Sequence, residues 1–308
     1  MTTAELAAHI EPININGLKG RMLFLPAPKN KKREILYVYG HHSSLERWAG
    51  FADDLNQYGA VTVPDLPGFG GMDSFYKIGM KPTLDNLADY LASFIKMRYK
   101  RKKITLCGLS FGFIVITRML QRYPELNDKV EILVSVVGFS HKDDFSFSKK
   151  RYWGYRILAS IFKLKYPAVI FKGLALHPMV IRRFYSKTHN AKKKFAELKT
   201  EDVERATEME ISLWRNNEVC TYMHTTVAML TLDNCKVIVP RKLYHVSVAA
   251  DRYFNNNVVE QHLNIIFDEV EDIRAVVSNH APTVIADKEA TKDIIPIKLR
   301  RLLAKRPS

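Results

Sequence analysis

The sequence predicts an α/β protein with a mostly parallel central sheet and helices on both of its faces. Two kinds of segment point there. Short, nearly continuous apolar runs such as EILYVY at 34–39 and VEILVSVV at 130–137 suit strands buried on both sides. Segments with apolar residues at helical spacing, such as 83–99, lie between them. The two kinds alternate through the first half of the chain, and that alternation is what a helix-covered parallel sheet requires.

The elements follow in order. Residues 20–25 and 34–39 read as strands, and 48–58 as a helix with Phe51 and Leu55 on one face. Residues 60–63 form a short strand leading into Pro64 and Asp65. The helix at 83–99 has Thr83 as its cap and Leu84, Leu87, Leu91, Phe94 and Ile95 along one side. A strand at 104–107 meets a helix at 112–123, which Pro124 follows, and the strand 130–137 comes next. Beyond about Phe139 the pattern changes. Residues 140–234 are helical, aromatic and basic, and clear strands return only at 241–250 and 272–277, with a helix at 258–267 between them. The expected organisation is a core from 1–139 and 235–308, with 140–234 inserted between two sheet strands as a helical cap. The basic tail from Ile297 is expected to be a partly ordered surface terminus.

Composition narrows the function classes. Of 308 residues, 47% are hydrophobic, enough for a sizeable core. No run of about 18 apolar residues occurs, so no membrane span is expected. The start MTTAELAAHIEP lacks the basic-then-apolar order of a secretory signal. Cys107, Cys220 and Cys235 lie far apart and make no CxxC pair, which argues against a disulfide framework or a zinc site and for a reducing cytoplasm. The net charge of +15 is carried by scattered residues with no nucleic-acid recognition motif, so nucleic acid is not favoured as a partner. The runs at 29–33 and 100–103 read as solvated loops before strands.

The chemistry gathers at ITLCGLSFGF, residues 104–113, where Ser110 stands between Gly108 and Gly112. A strand precedes the serine and a helix follows. A bend that tight needs small neighbours, lifts the hydroxyl clear of the sheet, and aims free N–H groups of the next helix at the same spot. Serine alone is a weak nucleophile. It needs an imidazole base, itself held by a carboxylate. Of ten histidines, His280 follows the last predicted strand, at the strand end where ligand chemistry gathers in such sheets. His245 lies within an apolar strand and reads as a core residue, and His177, His189 and His224 fall in the helical segment. Asp251 ends the strand before and is the favoured carboxylate, with Asp143 or Asp144 as rivals. The main-chain N–H groups of Phe111 and His41 are the expected oxyanion donors, Gly40 allowing the second loop to turn. The pair His41-His42 has no carboxylate or cysteine at ligand spacing, so no metal site is expected, and the chemistry calls for no cofactor.

Taken together, VYGHHSSLERW, VPDLPGFGGMDS, LCGLSFGF, VAADRYF and SNHAPTV resemble the α/β-hydrolase superfamily in order and spacing, over roughly residues 18–139 and 235–295. The resemblance implies Ser110, Asp251 and His280 as a triad, with His41 and Phe111 at the oxyanion. Two positions depart from the pattern: Tyr39-Gly40 stands for the usual His-Gly, and Asn279 for the frequent glycine before the histidine. In that family a serine nucleophile speaks against the dehalogenase and epoxide hydrolase branches, which use aspartate there.

The expected activity is therefore hydrolysis of a carboxylic ester, with an apolar acyl group, through an acyl-enzyme. The fold admits an acyltransferase or C–C bond hydrolase with the same triad, and also a non-catalytic relative that binds a hydrophobic ligand beneath its cap. Residues 148–173 are apolar and basic without acids, the composition of a segment that meets an anionic membrane surface peripherally.

Overall fold

A computed structural model describes residues 3–187, 200–249, 251–275 and 294–306. Eight strands form one sheet: β1 (Ile10–Ile15), β2 (Leu18–Leu25), β3 (Arg33–Val38), β4 (Gly59–Pro64), β5 (Ile104–Leu109), β6 (Val130–Val136), β7 (Val239–Val248) and β8 (Phe267–Ala275). Their order is β1-β2-β4-β3-β5-β6-β7-β8, antiparallel at the β1–β2 and β2–β4 pairs and parallel from β4 onward. The central strands β4 and β5 are buried along their whole length, which is why their sequences are apolar without alternation.

Helices surround this sheet. In chain order they are α1 (Thr3–Ala8), α2 (Leu45–Asn56), α3 (Leu84–Arg98), α4 (Phe111–Arg122), α5 (Lys149–Phe162), α6 (Lys165–Leu174), α7 (Pro178–Lys187), α8 (Thr200–Asn216), α9 (Val219–Leu230), α10 (Asn256–Ile266) and α11 (Ile297–Ala304). Thr83 caps α3 as expected, its hydroxyl accepting from the Asn86 N–H at 3.1 Å, an arrangement worth about 1 kcal/mol. Helices α5 to α9 lie between β6 and β7 in the chain.

Several elements differ from expectation for identifiable reasons. Strand β1 escaped notice although Asn16 and Gly17, at φ 52° and 82°, make the two-residue turn that joins it to β2. Strand β8 begins at Phe267, directly after α10, rather than at Asp272. It is the outer strand, and from Asp268 to Asp272 no side chain of its acidic run FDEVEDIRA is fully buried, which masks its strand character. Residues 276 and 277 of the expected strand lie outside the described residues. The tail is not a loose terminus. Leu299 and Leu303 of α11 are buried, and the Arg300 guanidinium donates to both oxygens of the buried Asp54 carboxylate at 3.0 and 2.6 Å.

The basic run before β3 is likewise not wholly solvated. Arg33 is buried, donating to Glu131 at 2.8 Å, to the Thr105 hydroxyl at 2.9 Å, and to the main-chain carbonyls of Leu303 and Lys305. One buried cation thus ties the start of β3 to β5, β6 and the tail.

The topology fixes where a site can form. Strand β3 has β4 on one side and β5 on the other, and the connections leave it in opposite directions. That reversal opens a crevice beyond the carboxyl ends of β3 and β5. Val38 lies opposite Gly108 in the parallel register, so the chain just past both strands, Gly40 and Ser110, comes together there.

Candidate active site

Ser110 occupies the bend between β5 and α4 with φ 47° and ψ −114°, a region a side-chain-bearing residue rarely enters. Such a conformation costs on the order of 1–3 kcal/mol and persists only where its surroundings impose it. Here the imposition is visible. The Ser110 N–H donates to the Val136 carbonyl at 2.9 Å, and its own carbonyl accepts from the Phe113 N–H at 3.0 Å. The flanking glycines are required by contact. A Cβ on Gly108 would stand 2.7 Å from the Phe113 Cα, and one on Gly112 would stand 2.2 Å from the Val38 carbonyl oxygen and 2.5 Å from that of Tyr39. The helix can begin this close to β3 only because both positions lack a side chain.

Gly40 meets the elbow from the other side. A Cβ there would lie 2.8 Å from Leu109 Cδ2 and 3.5 Å from Ser110 Cβ, so the loop carrying His41 runs directly beside the serine. Phe111, the first residue of α4, has an N–H that precedes any acceptor within its own helix. The structure therefore brings Ser110, Phe111 and His41 together.

Above the elbow is a cavity of about 310 Å³. Its apolar walls come from Trp48, Leu109, Phe139, Tyr222, Met229 and Phe254, and its polar lining includes Ser110, His42, Glu210 and Arg252. Helices α8 and α9 contribute Glu210, Tyr222 and Met229, so the roof is built from the segment between β6 and β7.

The two histidines of the loop have distinct settings. The His41 ring stacks on Tyr222 at 4.3 Å, with Nε2 2.8 Å from the Thr225 hydroxyl. Burial, helped by His42, pushes its pKa down to about 3, so the ring is neutral at physiological pH. The His42 backbone is left-handed at φ 53°. Its ring sits 4.0 Å from the Trp214 ring, with Nδ1 3.3 Å from the Asn217 amide nitrogen and Nε2 3.2 Å from Glu210 Oε1. A carboxylate at Nε2 and an amide N–H at Nδ1 fix the ring as the Nε2–H tautomer, with both nitrogens engaged.

This His42–Glu210–Asn217 group went unpredicted. Its partners are 168 and 175 positions apart, and no local pattern links them. It continues into the turn at 65–70. The Gly70 N–H donates to Asn217 Oδ1 at 2.8 Å, and the Glu218 N–H to the Gly68 carbonyl at 2.8 Å. Tyr39, in the place of the usual histidine, donates to Asp65 Oδ1 at 2.7 Å and accepts from the Leu66 N–H at 3.1 Å. The turn thus docks the roof helices onto the sheet.

The candidate carboxylates separate clearly. Asp144 is fully buried. One oxygen accepts from the N–H groups of Ser140 and His141 at 2.7 and 2.9 Å, and the other lies 2.5 Å from His262 Nδ1. That geometry uses the carboxylate as a local clamp. Asp143 is on the surface beside Lys142. Asp251 follows β7, and its Oδ1 accepts from the N–H groups of Tyr253 at 2.8 Å and Phe254 at 3.2 Å. It lines a neighbouring cavity of about 340 Å³ with His245, Asn255 and Asp272, while the next three residues, Arg252 to Phe254, line the serine's cavity. The expected base, His280, lies outside the described residues. His245 is buried in β7 with Nδ1 3.0 Å from the Ser135 hydroxyl, as its place in an apolar strand suggested. His224 is on α9, His177 lies just before α7, and His189 is outside the described residues.

No family model and no curated protein matches this chain at the level of sequence. Solved structures do match it in fold. An esterase from Thermogutta terrifontis superposes with a TM-score of 0.62 at 15% identity, covering 96% of this chain and 100% of the esterase. A hydrolase from Pseudomonas aeruginosa gives 0.65 at 14% identity over 92% of this chain and 94% of its own. An enol-lactonase from Burkholderia xenovorans gives 0.61 at 12% identity over 96% of both chains.

Proposed function

The chain has the α/β-hydrolase fold, and from that premise we propose that it is a serine hydrolase cleaving a carboxylic ester with an apolar acyl group. The observation that carries the proposal is the strained elbow. Ser110 is held at φ 47° at the floor of a cavity with both apolar and polar walls, where the loop of His41 and the first N–H of α4 converge. Nothing in the packing of a stable turn calls for a serine in so costly a conformation.

In this reading the ester carbonyl sits in the cavity with its acyl chain against Trp48, Phe139, Tyr222 and Met229. Ser110 Oγ attacks the carbonyl carbon while its proton passes to His280, the imidazole that the sequence places after β8. Asp251 orients that imidazole and stabilises its charged form. The main-chain N–H groups of Phe111 and His41 hold the developing oxyanion, each worth about 3 kcal/mol of barrier. The imidazolium protonates the departing alcohol. Water, activated by the same base, then releases the acid and restores Ser110. His41, neutral and fixed by Thr225, contributes its main chain rather than its ring.

A series of p-nitrophenyl esters of increasing acyl length tests the reading. Hydrolysis should rise with chain length and vanish in Ser110→Ala. Turnover of the acetate alone, or activity retained by Ser110→Ala, would overturn it.

A further inference from the structure

The helices that follow β6 are inside out. On α5, Trp153, Ile157, Leu158 and Ile161 recur at helical spacing on the outer side, each 45% exposed or more, while Ala159 faces inward. On α6 the outward stripe is Tyr166, Val169, Ile170 and Leu174, 60–81% exposed, with Ala168 buried beneath. On α7, Met179 and Phe184 continue it and Ile181 turns in. Thirteen of the twenty-one large hydrophobic side chains exposed among the described residues fall between Trp153 and Phe184. A patch this concentrated marks an interaction surface, because scattered exposed hydrophobics would need no explanation.

The charges around the patch say what it meets. From residue 145 to 187 the chain carries ten Lys and Arg and no Asp or Glu. Lys163 and Lys165 stand at the α5–α6 junction, Lys172 is exposed on α6, and Arg156 stacks over the Trp153 ring at 5.0 Å. Apolar side chains pointing out, an aromatic among them, and a surround rich in cations, of which Arg182 pairs with Glu208 of α8, together match the boundary of an anionic bilayer: acyl chains for the stripe, phosphates for the remaining cations. A self-associating face would set this excess of positive charge against its own copy and repel itself.

We propose that α5, α6 and α7 dock this protein on the surface of an anionic bilayer. The proposal rests on the outer surface of these helices and is independent of the chemistry at Ser110. Placement gives it a consequence for that chemistry. Helices α5 and α6 pack on α9, whose other side supplies Tyr222 and Met229 to the serine's cavity. Two helix layers, α5 or α6 and then α9, about 20 Å in all, separate the lipid-facing stripe from the cavity.

The test is co-sedimentation of the full chain with vesicles of phosphatidylcholine alone and of phosphatidylcholine containing about one third phosphatidylglycerol, at low and high salt. The chain should bind the anionic vesicles at least tenfold more tightly than the neutral ones, and added salt should weaken that binding. The double variant Ile157→Glu, Ile170→Glu changes only exposed positions and should bind at least tenfold less tightly with an unaltered circular dichroism spectrum. Trp153 emission should shift to the blue on anionic vesicles, a change absent from Trp153→Phe. Ser110→Ala should bind as the parent does, which separates this proposal from the hydrolytic one. Any of three results would overturn the proposal: no co-sedimentation with anionic vesicles at low salt, binding that the double variant leaves intact, or a concentration-dependent dimer that the double variant dissolves while vesicles go unbound.

Discussion

Replacing Gly112 with alanine probes the structural premise of the site. The new methyl carbon would stand 2.2 Å from the Val38 carbonyl oxygen and 2.5 Å from that of Tyr39. Ordinary contact begins near 3.4 Å, so α4 and β3 must separate by about 1 Å. Strand β3 cannot retreat, because it is hydrogen-bonded to β4 on one side and β5 on the other. The cost should be about 3 kcal/mol, the upper range for overpacking a fixed site. Gly154 supplies the control. It lies inside α5, and a methyl carbon added there would meet nothing within 4 Å, so Gly154→Ala should gain about 0.5–1 kcal/mol from helix propensity. Urea denaturation of the two variants beside the parent, extrapolated with a common slope, measures both. Because the elbow moves with α4, Gly112→Ala should also lower ester turnover by about a hundredfold, the penalty of a 1 Å misplacement. Stability of Gly112→Ala within about 0.5 kcal/mol of the parent would refute the claim that close approach of α4 to β3 holds Ser110 in place.

The two candidate carboxylates should part by assay. Asp251→Asn is expected to cut kcat by about four orders of magnitude with little change in stability. Asp144→Ala orphans two buried N–H groups and His262 Nδ1, and should cost about 2–4 kcal/mol by denaturation. The reverse outcome would move the acid to Asp144. Acid should also weaken the fold through His245, whose pKa burial pushes down to about 4, against the opposing pull of Asp272. Its ring stays neutral in the folded protein below the pH at which the unfolded chain takes up a proton. Stability is therefore complete above about pH 6.5 and falls progressively towards pH 4, by about 3 kcal/mol. Denaturation at several pH values should show this slope, and His245→Gln should flatten it; an unchanged slope would assign the loss elsewhere.

How much of this was legible depended on whether the cause was local. The parallel strands could be read because burial on both faces leaves a continuous apolar run, and Thr83 and Pro124 marked helix limits by their own backbone chemistry. Ser110 was readable because its two glycines are a steric demand of the bend itself. Strand β1 was missed although Asn16-Gly17 carried the signal, since IEPINI is short and holds a proline. The docking of α11 depends on Asp54, 246 positions from Arg300, and the fixing of His42 depends on Glu210, 168 positions away. Sequence spacing does not encode such meetings, because the sheet order decides which distant residues share a crevice.

The central claim is that the hydroxyl at position 110 is an activated nucleophile. Reaction of the folded chain with a fluorophosphonate, followed by peptide mass mapping, tests it most directly. The account predicts one phosphonyl adduct, on the peptide containing Ser110, absent from Ser110→Ala and greatly slowed in His280→Ala. A folded protein that remains unmodified, or one labelled at another residue while Ser110 stays free of adduct, would contradict it.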